Sequence, residues 1–255
     1  VGLTLQKWHG AGNDFLVDVT DAAGARRWTP ERAAALCDRH LGVGADGLLV
    51  AERSDSLVTM VLYNADGSRA EMSGNGIRCL AAAVRRATGE PGETLTVMTD
   101  AGERTVSLRL DGLDGYGEVD MGQVSLGEPP AGALGVATVG NPHVVVLDDE
   151  RWSVNERERL AEGWSGPLGG ANVEFATVLS PERVRITVRE RGVGWTLACG
   201  TGSVAVAAVL AQAGLVSSRV HVENPGGVLA VTLEGDRARL GGPVRFVADV
   251  TLLLA

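Results

Sequence analysis

The sequence predicts an α+β fold with mostly antiparallel sheet, built as two copies of one unit. Three observations carry this expectation. Runs of β-favouring residues outnumber helical patterns, many runs are joined by short turns containing Gly or Asp, and a set of loop motifs recurs in the same order half a chain later. The 255 residues are enough for one large domain or two ordinary ones, and 45% hydrophobic with 22% charged residues is the composition of a globular chain with a core.

Taken in order, β-rich runs fall at 3–8, 15–19, 57–63, 94–99, 105–110, 144–147, 173–179, 184–188, 220–222, 229–233 and 246–254. Helical periodicity covers 30–40, 76–88, 154–163 and 202–214. Thr29 followed by Pro30 reads as an N-cap with proline at the first helical position. Ser153, with Glu156 three residues on, reads as a capping box. Asp111-Gly112 and Asp114-Gly115 are turn signals, and 127–135, with Pro129-Pro130, is the most linker-like stretch.

Composition removes several classes of function. Thirty-five glycines are about twice ordinary usage, yet no G-X-Y period accompanies them, so the surplus belongs in turns and loops. A net charge of −9 with 4% aromatics argues against nucleic acid. Cys37, Cys79 and Cys199 form neither a disulfide framework nor a zinc motif, and His9, His40, His143 and His221 show no metal-ligand spacing, so no metal is expected. Reduced thiols suit the cytoplasm. The first residues lack a signal-peptide pattern, and the apolar run 204–215 is too short to span a bilayer, so a soluble protein without a membrane partner is expected.

The repeat locates the chemistry. Ser73-Gly74-Asn75-Gly76 opens one helix and Cys199-Gly200-Thr201-Gly202 opens another, at an offset of 199 − 73 = 126. The same offset carries Asn64 onto Glu190 and Gly44-Ala45-Asp46 onto Gly170-Ala171-Asn172, and an offset of 128 carries Gly12-Asn13 onto Gly140-Asn141. In each half a nucleophilic side chain therefore stands at a helix N-terminus, where free N–H groups and the positive end of the dipole hold a carboxylate and favour a thiolate. Cys199 is the candidate acid/base, with a lowered pKa expected, whereas mid-helix Cys37 and Cys79 read as buried packing residues. If the halves face one another, Ser73 and Cys199 supply the two groups that stereoinversion requires on opposite faces of one carbon. A competing motif is Gly200-x-Gly202-x-x-Ala205, which matches a dinucleotide fingerprint with Glu223 as the ribose ligand, fed by a short strand at 195–198.

Eight blocks make the sequence specific. Trp8-His9-Gly10-Ala11-Gly12-Asn13-Asp14-Phe15, Gly44-Ala45-Asp46-Gly47, Tyr63-Asn64-Ala65-Asp66-Gly67-Ser68, Gly74-Asn75-Gly76-Ile77-Arg78-Cys79, Gly140-Asn141-Pro142-His143, Asn172-Val173-Glu174-Phe175, Arg189-Glu190-Arg191-Gly192 and Ala198-Cys199-Gly200-Thr201-Gly202 closely resemble diaminopimelate epimerase. The resemblance implies two pseudo-symmetric α+β domains, 1–118 and 119–243, each with mostly antiparallel strands around a central helix. A C-terminal strand, 244–255, returns to the first. It also implies interconversion of LL- and meso-diaminopimelate without a cofactor, on the route to lysine and peptidoglycan, by a homodimer. Residue by residue, Cys199 resembles one of two catalytic thiols. Asn13, Asn64, Asn141, Asn172, Glu190 and Arg191 fall on substrate-contacting positions. Gly74, Asn75, Gly200 and Thr201 offer backbone N–H groups to the reacting carboxylate, and His143 and Glu190 support the thiols. The residue types agree, since asparagines offer donors and acceptors together and Arg191 can bind a carboxylate bidentately.

One position departs: Ser73 stands where the family has its other catalytic cysteine. A hydroxyl is a poor general base near neutral pH. The exchange is either engineered to trap a complex, or natural with Ser73 relaying a proton in a slower reaction, or a mark of a different substrate, as in related racemases and dehydratases of this fold. Cys79 lies nearly two helical turns away and does not stand in for it. The contrasting readings are a binding protein that retains the pocket without turnover, and a nucleotide-dependent oxidoreductase.

Overall fold

The computed structural model describes residues 2–54, 57–148, 152–168, 170–191 and 193–253. It separates into two compact units, 1–119 with 242–255, and 120–241. The chain passes between them twice, at 119/120 and at 241/242.

In the first unit the strands are β1 (Leu3–Gly10), β2 (Asn13–Thr20), β3 (Gly47–Ser54), β4 (Leu57–Asn64), β5 (Arg69–Ala70), β6 (Thr94–Thr99), β7 (Gly102–Asp111) and β8 (Asp114–Gln123), whose last residues belong to the second unit. The second unit holds β9 (Ser125–Gly127), β10 (Gly135–Val139), β11 (Asn141–Leu147), β12 (Asn172–Ser180), β13 (Arg183–Glu190), β14 (Gly194–Thr196), β15 (Arg219–Asn224) and β16 (Gly227–Glu234). Strand β17 (Arg237–Leu252) starts there and ends in the first unit.

Pairing closes the first unit into a ring, β1-β2-β3-β4-β6-β7-β8-β17 and back to β1, antiparallel except at β2–β3 and β4–β6 in the pairs whose register is defined. The same order recurs in the second unit as β10-β11-β12-β13-β15-β16-β17, with parallel pairs again at the second and fourth steps, β11–β12 and β13–β15. The duplication read from loop motifs is therefore a duplication of topology.

Each ring encloses one helix. Among helices α1 (Ala22–Ala25), α2 (Pro30–Cys37), α3 (Gly74–Thr88), α4 (Val154–Ser165) and α5 (Gly200–Gln212), only α3 and α5 are buried on nearly every face. A helix apolar all round belongs inside. Small side chains such as Ala81, Ala82 and Ala83, and Ala205, Ala207 and Ala208, allow it to fit. A left-handed Gly89 (φ +65°) ends α3. Outside each ring the shorter helices cover corresponding strands. Trp28, Ala33 and Cys37 pack on Leu16, Leu48 and Val50, and Ala161 with Trp164 packs on Val144, Val173 and Phe175. No helix among the described residues is long and apolar enough to cross a membrane.

The caps at Thr29 and Ser153 form as expected, the latter with Glu156 closing the box. The short elements α1, β5, β9 and β10 and the early start of β17 at Arg237 are not expected from the sequence, and four further features differ from the sequence expectation. Strand β3 has no alternation to reveal it, because Leu48, Leu49, Val50 and Ala51 are all buried. Strand β8 is rich in Gly and acidic residues and owes its form to pairing with β7 and β17 rather than to propensity. Asp114-Gly115 opens that strand, the turn being made one step earlier around Gly112 (φ +60°). The linker-like 127–135 lies inside the second unit, between β9 and β10. Gly192 and Leu254, both within expected features, lie outside the described residues.

Candidate active site

Ser73 and Cys199 occupy the same place in their units. Ser73 is the N-cap of α3 in extended conformation (φ −138°, ψ 123°), and its hydroxyl accepts from the Gly76 N–H at 3.0 Å. Cys199 is the N-cap of α5 (φ −124°, ψ 115°), and its sulfur accepts from the Gly202 N–H at 3.4 Å. Each reactive atom thus lies against the free N–H groups of a first helical turn. Space requires Gly202 and is tight at Gly76. A Cβ at Gly76 would meet Ser73 Oγ at 3.2 Å and Leu49 at 3.4 Å; one at Gly202 would meet Cys199 Sγ at 3.2 Å and Glu174 Oε1 at 2.5 Å.

Those contacts also correct the repeat. Strand pairing sets Gly47 beside Phe15 and Asn172 beside His143, so along these strands the offset is 125, not the 126 of the preceding loops. Glu174 is thus the counterpart of Leu49, and His143 that of Phe15. The second unit carries a polar cluster where the first is apolar. His143 Nδ1 and Glu174 Oε1 are 2.7 Å apart, both fully buried, and His143 Nε2 lies 3.1 Å from Asn141 Oδ1. Glu174 Oε2 has no hydrogen-bond partner among the described residues. Glu190 accepts from the Thr196 hydroxyl at 2.6 Å.

This surrounding overturns the expected lowering of the Cys199 pKa. Burial, and then the negative charges of Glu190 and Glu174, push the thiol well above its ordinary range, outweighing the Thr201 hydroxyl and the Gly202 N–H. Burial also raises Glu190, with the Glu174 charge in the same direction and Thr196, His143 and Cys199 opposing. The helix terminus is present, but burial, with the two carboxylates acting in the same direction, outweighs it. Cys37 and Cys79 are buried packing residues as expected, raised to about 11 and about 12 by burial.

The other expected site residues fall into two sets. In the first unit Asn75, buried behind Ser73, donates to Asn13 Oδ1 at 3.3 Å, and Asn64 donates to Ser68 Oγ at 3.0 Å. Gly74 opens α3. In the second unit Asn172 Oδ1 accepts from the Arg191 N–H at 2.9 Å, and the exposed Arg191 guanidinium donates to Gly170 O at 3.2 Å. Gly200 and Thr201 begin α5, with the Thr201 hydroxyl 3.5 Å from Cys199 Sγ. The sequence assigned no role to Glu174, Asn224 or Arg78. Asn224 Oδ1 accepts from the Cys199 N–H at 3.2 Å. The signal for Glu174 was present, an acid inside an otherwise apolar strand run.

The dinucleotide reading fails. Strand β14 is three residues long and antiparallel to β13, so it is no parallel strand feeding a fingerprint. The Glu223 carboxylate is taken up by Arg183 and Arg185.

A duplicated strand ring around a central helix, with Ser73 or Cys199 capping that helix, is a fold that solved structures share. A hydroxyproline epimerase from Agrobacterium vitis, solved with trans-4-hydroxy-L-proline, shares it at a TM-score of 0.74 and 16% identity, covering 98% of this chain and 91% of that one. The chain belongs to the diaminopimelate epimerase family, whose model matches residues 5–127 and 135–247. A diaminopimelate epimerase from Synechocystis sp. is 35% identical over 97% of this chain and 98% of its own length. An O-ureido-serine racemase from Streptomyces lavendulae is 36% identical over 99% and 96%.

Proposed function

We propose that this chain epimerises diaminopimelate at the α-carbon, with Cys199 acting on one face and Ser73 on the other. The observation that carries this reading is the shared cap geometry of the two residues, joined to membership of the family. The units 1–118 and 119–243, with the strand 244–255, would serve as its two half-sites. In the step that starts from the Cys199 face, Glu190 takes the thiol proton, the thiolate removes the α-proton, and the electron pair moves onto the substrate carboxylate. The N–H groups of Gly74, Asn75, Gly200 and Thr201 stabilise that charge. Inversion is completed when Ser73 donates its hydroxyl proton to the opposite face. His143, held by Glu174 and Asn141, fixes the polar surroundings of Glu190. Asn13, Asn64, Asn141, Asn172, Glu190 and Arg191 hold the rest of the substrate, its distal ammonium and carboxylate.

A hydroxyl is the weaker partner in both directions. Exchange of the α-hydrogen that faces Cys199 should therefore outrun inversion. Incubation with LL-diaminopimelate in D2O, following α-deuterium and stereochemistry together, tests this. Exchange with inversion supports the reading, and Cys199→Ala should abolish exchange; exchange surviving in that variant removes Cys199 from the mechanism.

The 36% identical racemase supports a second reading, in which the same machinery acts on a different α-amino acid. Deuterium exchange with other amino acids and none with diaminopimelate would establish it. We further propose a cytoplasmic homodimer, the mass of which light scattering would report.

A further inference from the structure

We propose that Arg78 is a positioning residue for the substrate pocket, setting the orientation of the Asn75 and Asn13 side-chain amides. The proposal rests on the reading that these two asparagines touch substrate.

Arg78 lies on α3 one turn below Ser73 and is fully buried. Its guanidinium donates to Gly74 O at 2.8 Å and to Asn75 Oδ1 at 2.7 Å, both neutral oxygens, while Nε has no partner among the described residues. Burial lowers its pKa to about 10, which leaves it charged near neutrality. Burying a charge against neutral oxygens is costly, and nothing in helix packing asks for it, since the matching position on α5 is Val204. Space has been made for it: a Cβ at Gly117 would stand 3.1 Å from Arg78 Cδ and 3.2 Å from Cγ.

The direction of the hydrogen bonds gives its role. Asn75 Nδ2 donates to Asn13 Oδ1 at 3.3 Å, and Asn13 Nδ2 donates to Asp46 Oδ2 at 2.8 Å. One end of this chain is an arginine, which has no acceptor, and the other is a carboxylate, which has no donor. Between them each amide has one orientation that satisfies both neighbours. Turning either one sets nitrogen against nitrogen or oxygen against oxygen. Asp46 is itself held by Arg39 at 2.8 Å. The chain thus presents the pocket with fixed donors and acceptors, as discrimination between a distal ammonium and a carboxylate requires.

Two measurements test this. In the ligand-free protein, selectively labelled asparagine side-chain amides are followed by NMR: Arg78→Met should move the Asn75 and Asn13 signals and leave Asn141 and Asn172 in place. Unmoved Asn75 and Asn13 signals would overturn the proposal whatever the substrate. Calorimetric binding of diaminopimelate then gives a cycle. Arg78→Met and Asn75→Ala should each weaken binding about tenfold, roughly 1.4 kcal/mol, and the double variant should lose no more than the larger single loss. Independent, additive losses would mean that Arg78 acts only on the fold. If Asn75→Ala and Asn13→Ala both leave binding unchanged while the amide signals respond to Arg78→Met, the pocket assignment has failed and the amide orientation stands. Gly117→Ala, which presses on the arginine stem without removing any polar group, replaces Arg78→Met should that variant not fold; its few-fold loss should also vanish when combined with Asn75→Ala.

Discussion

Replacing Ser73 by cysteine isolates the weakest element of the proposed chemistry. The two caps differ by about 0.4 Å in the distance from the reactive atom to the helix N–H, 3.0 Å at Ser73 and 3.4 Å at Cys199. That difference is what a longer C–S bond and a larger atom require, so the α3 cap can take a sulfur in the manner that α5 already does. Gly76 leaves the same room as Gly202, and the neighbour there is Leu49 rather than a carboxylate. A thiol at position 73 would thus meet partial burial and N–H groups without the Glu190 and Glu174 charges that raise Cys199. A positioned acid/base contributes roughly a hundred- to ten-thousand-fold, about 2.7–5.5 kcal/mol in the barrier. Ser73→Cys should raise the inversion rate by an amount in that range while leaving exchange at the Cys199 face nearly unchanged. The assay is single-turnover epimerisation of diaminopimelate in D2O, with stereochemistry and α-deuterium read on the same samples. An unchanged inversion rate would refute the reasoning, because the hydroxyl would then not be limiting.

Three further outcomes follow from the second unit. Glu190→Gln removes a negative charge that raises the Cys199 thiol, so thiolate absorbance, read against Cys199→Ala, should appear at lower pH than in the parent chain; an unmoved or higher midpoint would show that burial acts alone. His143→Phe leaves the fully buried Glu174 without its only partner among the described residues and should cost roughly 3–5 kcal/mol in urea unfolding. Adding Glu174→Leu should return most of that stability, since the first unit already folds with Phe15 and Leu49 at these places, both buried; a double variant as unstable as the single would refute the equivalence.

Much of this was legible in the sequence because loops and caps are written in local chemistry. Ser73-Gly-x-Gly and Cys199-Gly-x-Gly name their helix starts, and the strand runs of β4, β6 and β13 show their alternation. What was not legible depended on long-range pairing. Strand β3 hides its period because both faces are covered, and β8 exists only through its neighbours. The single-residue drop from 126 to 125 between loop and strand could not be seen in motifs. A one-residue shift turns every side chain to the other face. It decides whether Glu174 faces the outer helix layer or α5. The direction of the thiol's pKa is hidden for a related reason: the helix end is local and visible, while the burial of Cys199 and the approach of Glu190 and Glu174 come from other strands.

The duplication then has a chemical consequence. Two copies of one topology place Ser73 and Cys199 in matching caps, yet the residues behind them have diverged. Behind Cys199 stand His143, Glu174 and Glu190; behind Ser73, the same places are held by Phe15, Leu49 and Asn64. Buried titratable groups cost stability, and the strand wall behind Ser73, formed by Phe15 and Leu49, avoids them; the first unit sets its polar residues, a buried arginine among them, elsewhere. In the first unit those residues are Arg78, Asn75, Asn13 and Asp46, which form a directed chain of hydrogen bonds with no counterpart on α5, where Val204 replaces the arginine. On the proposed reading, titratable groups flank the Cys199 cap, whereas the polar groups of the first unit fix an orientation. Position 73, where that reading needs the second proton donor, is backed by Phe15, Leu49 and Asn64, none of which titrates.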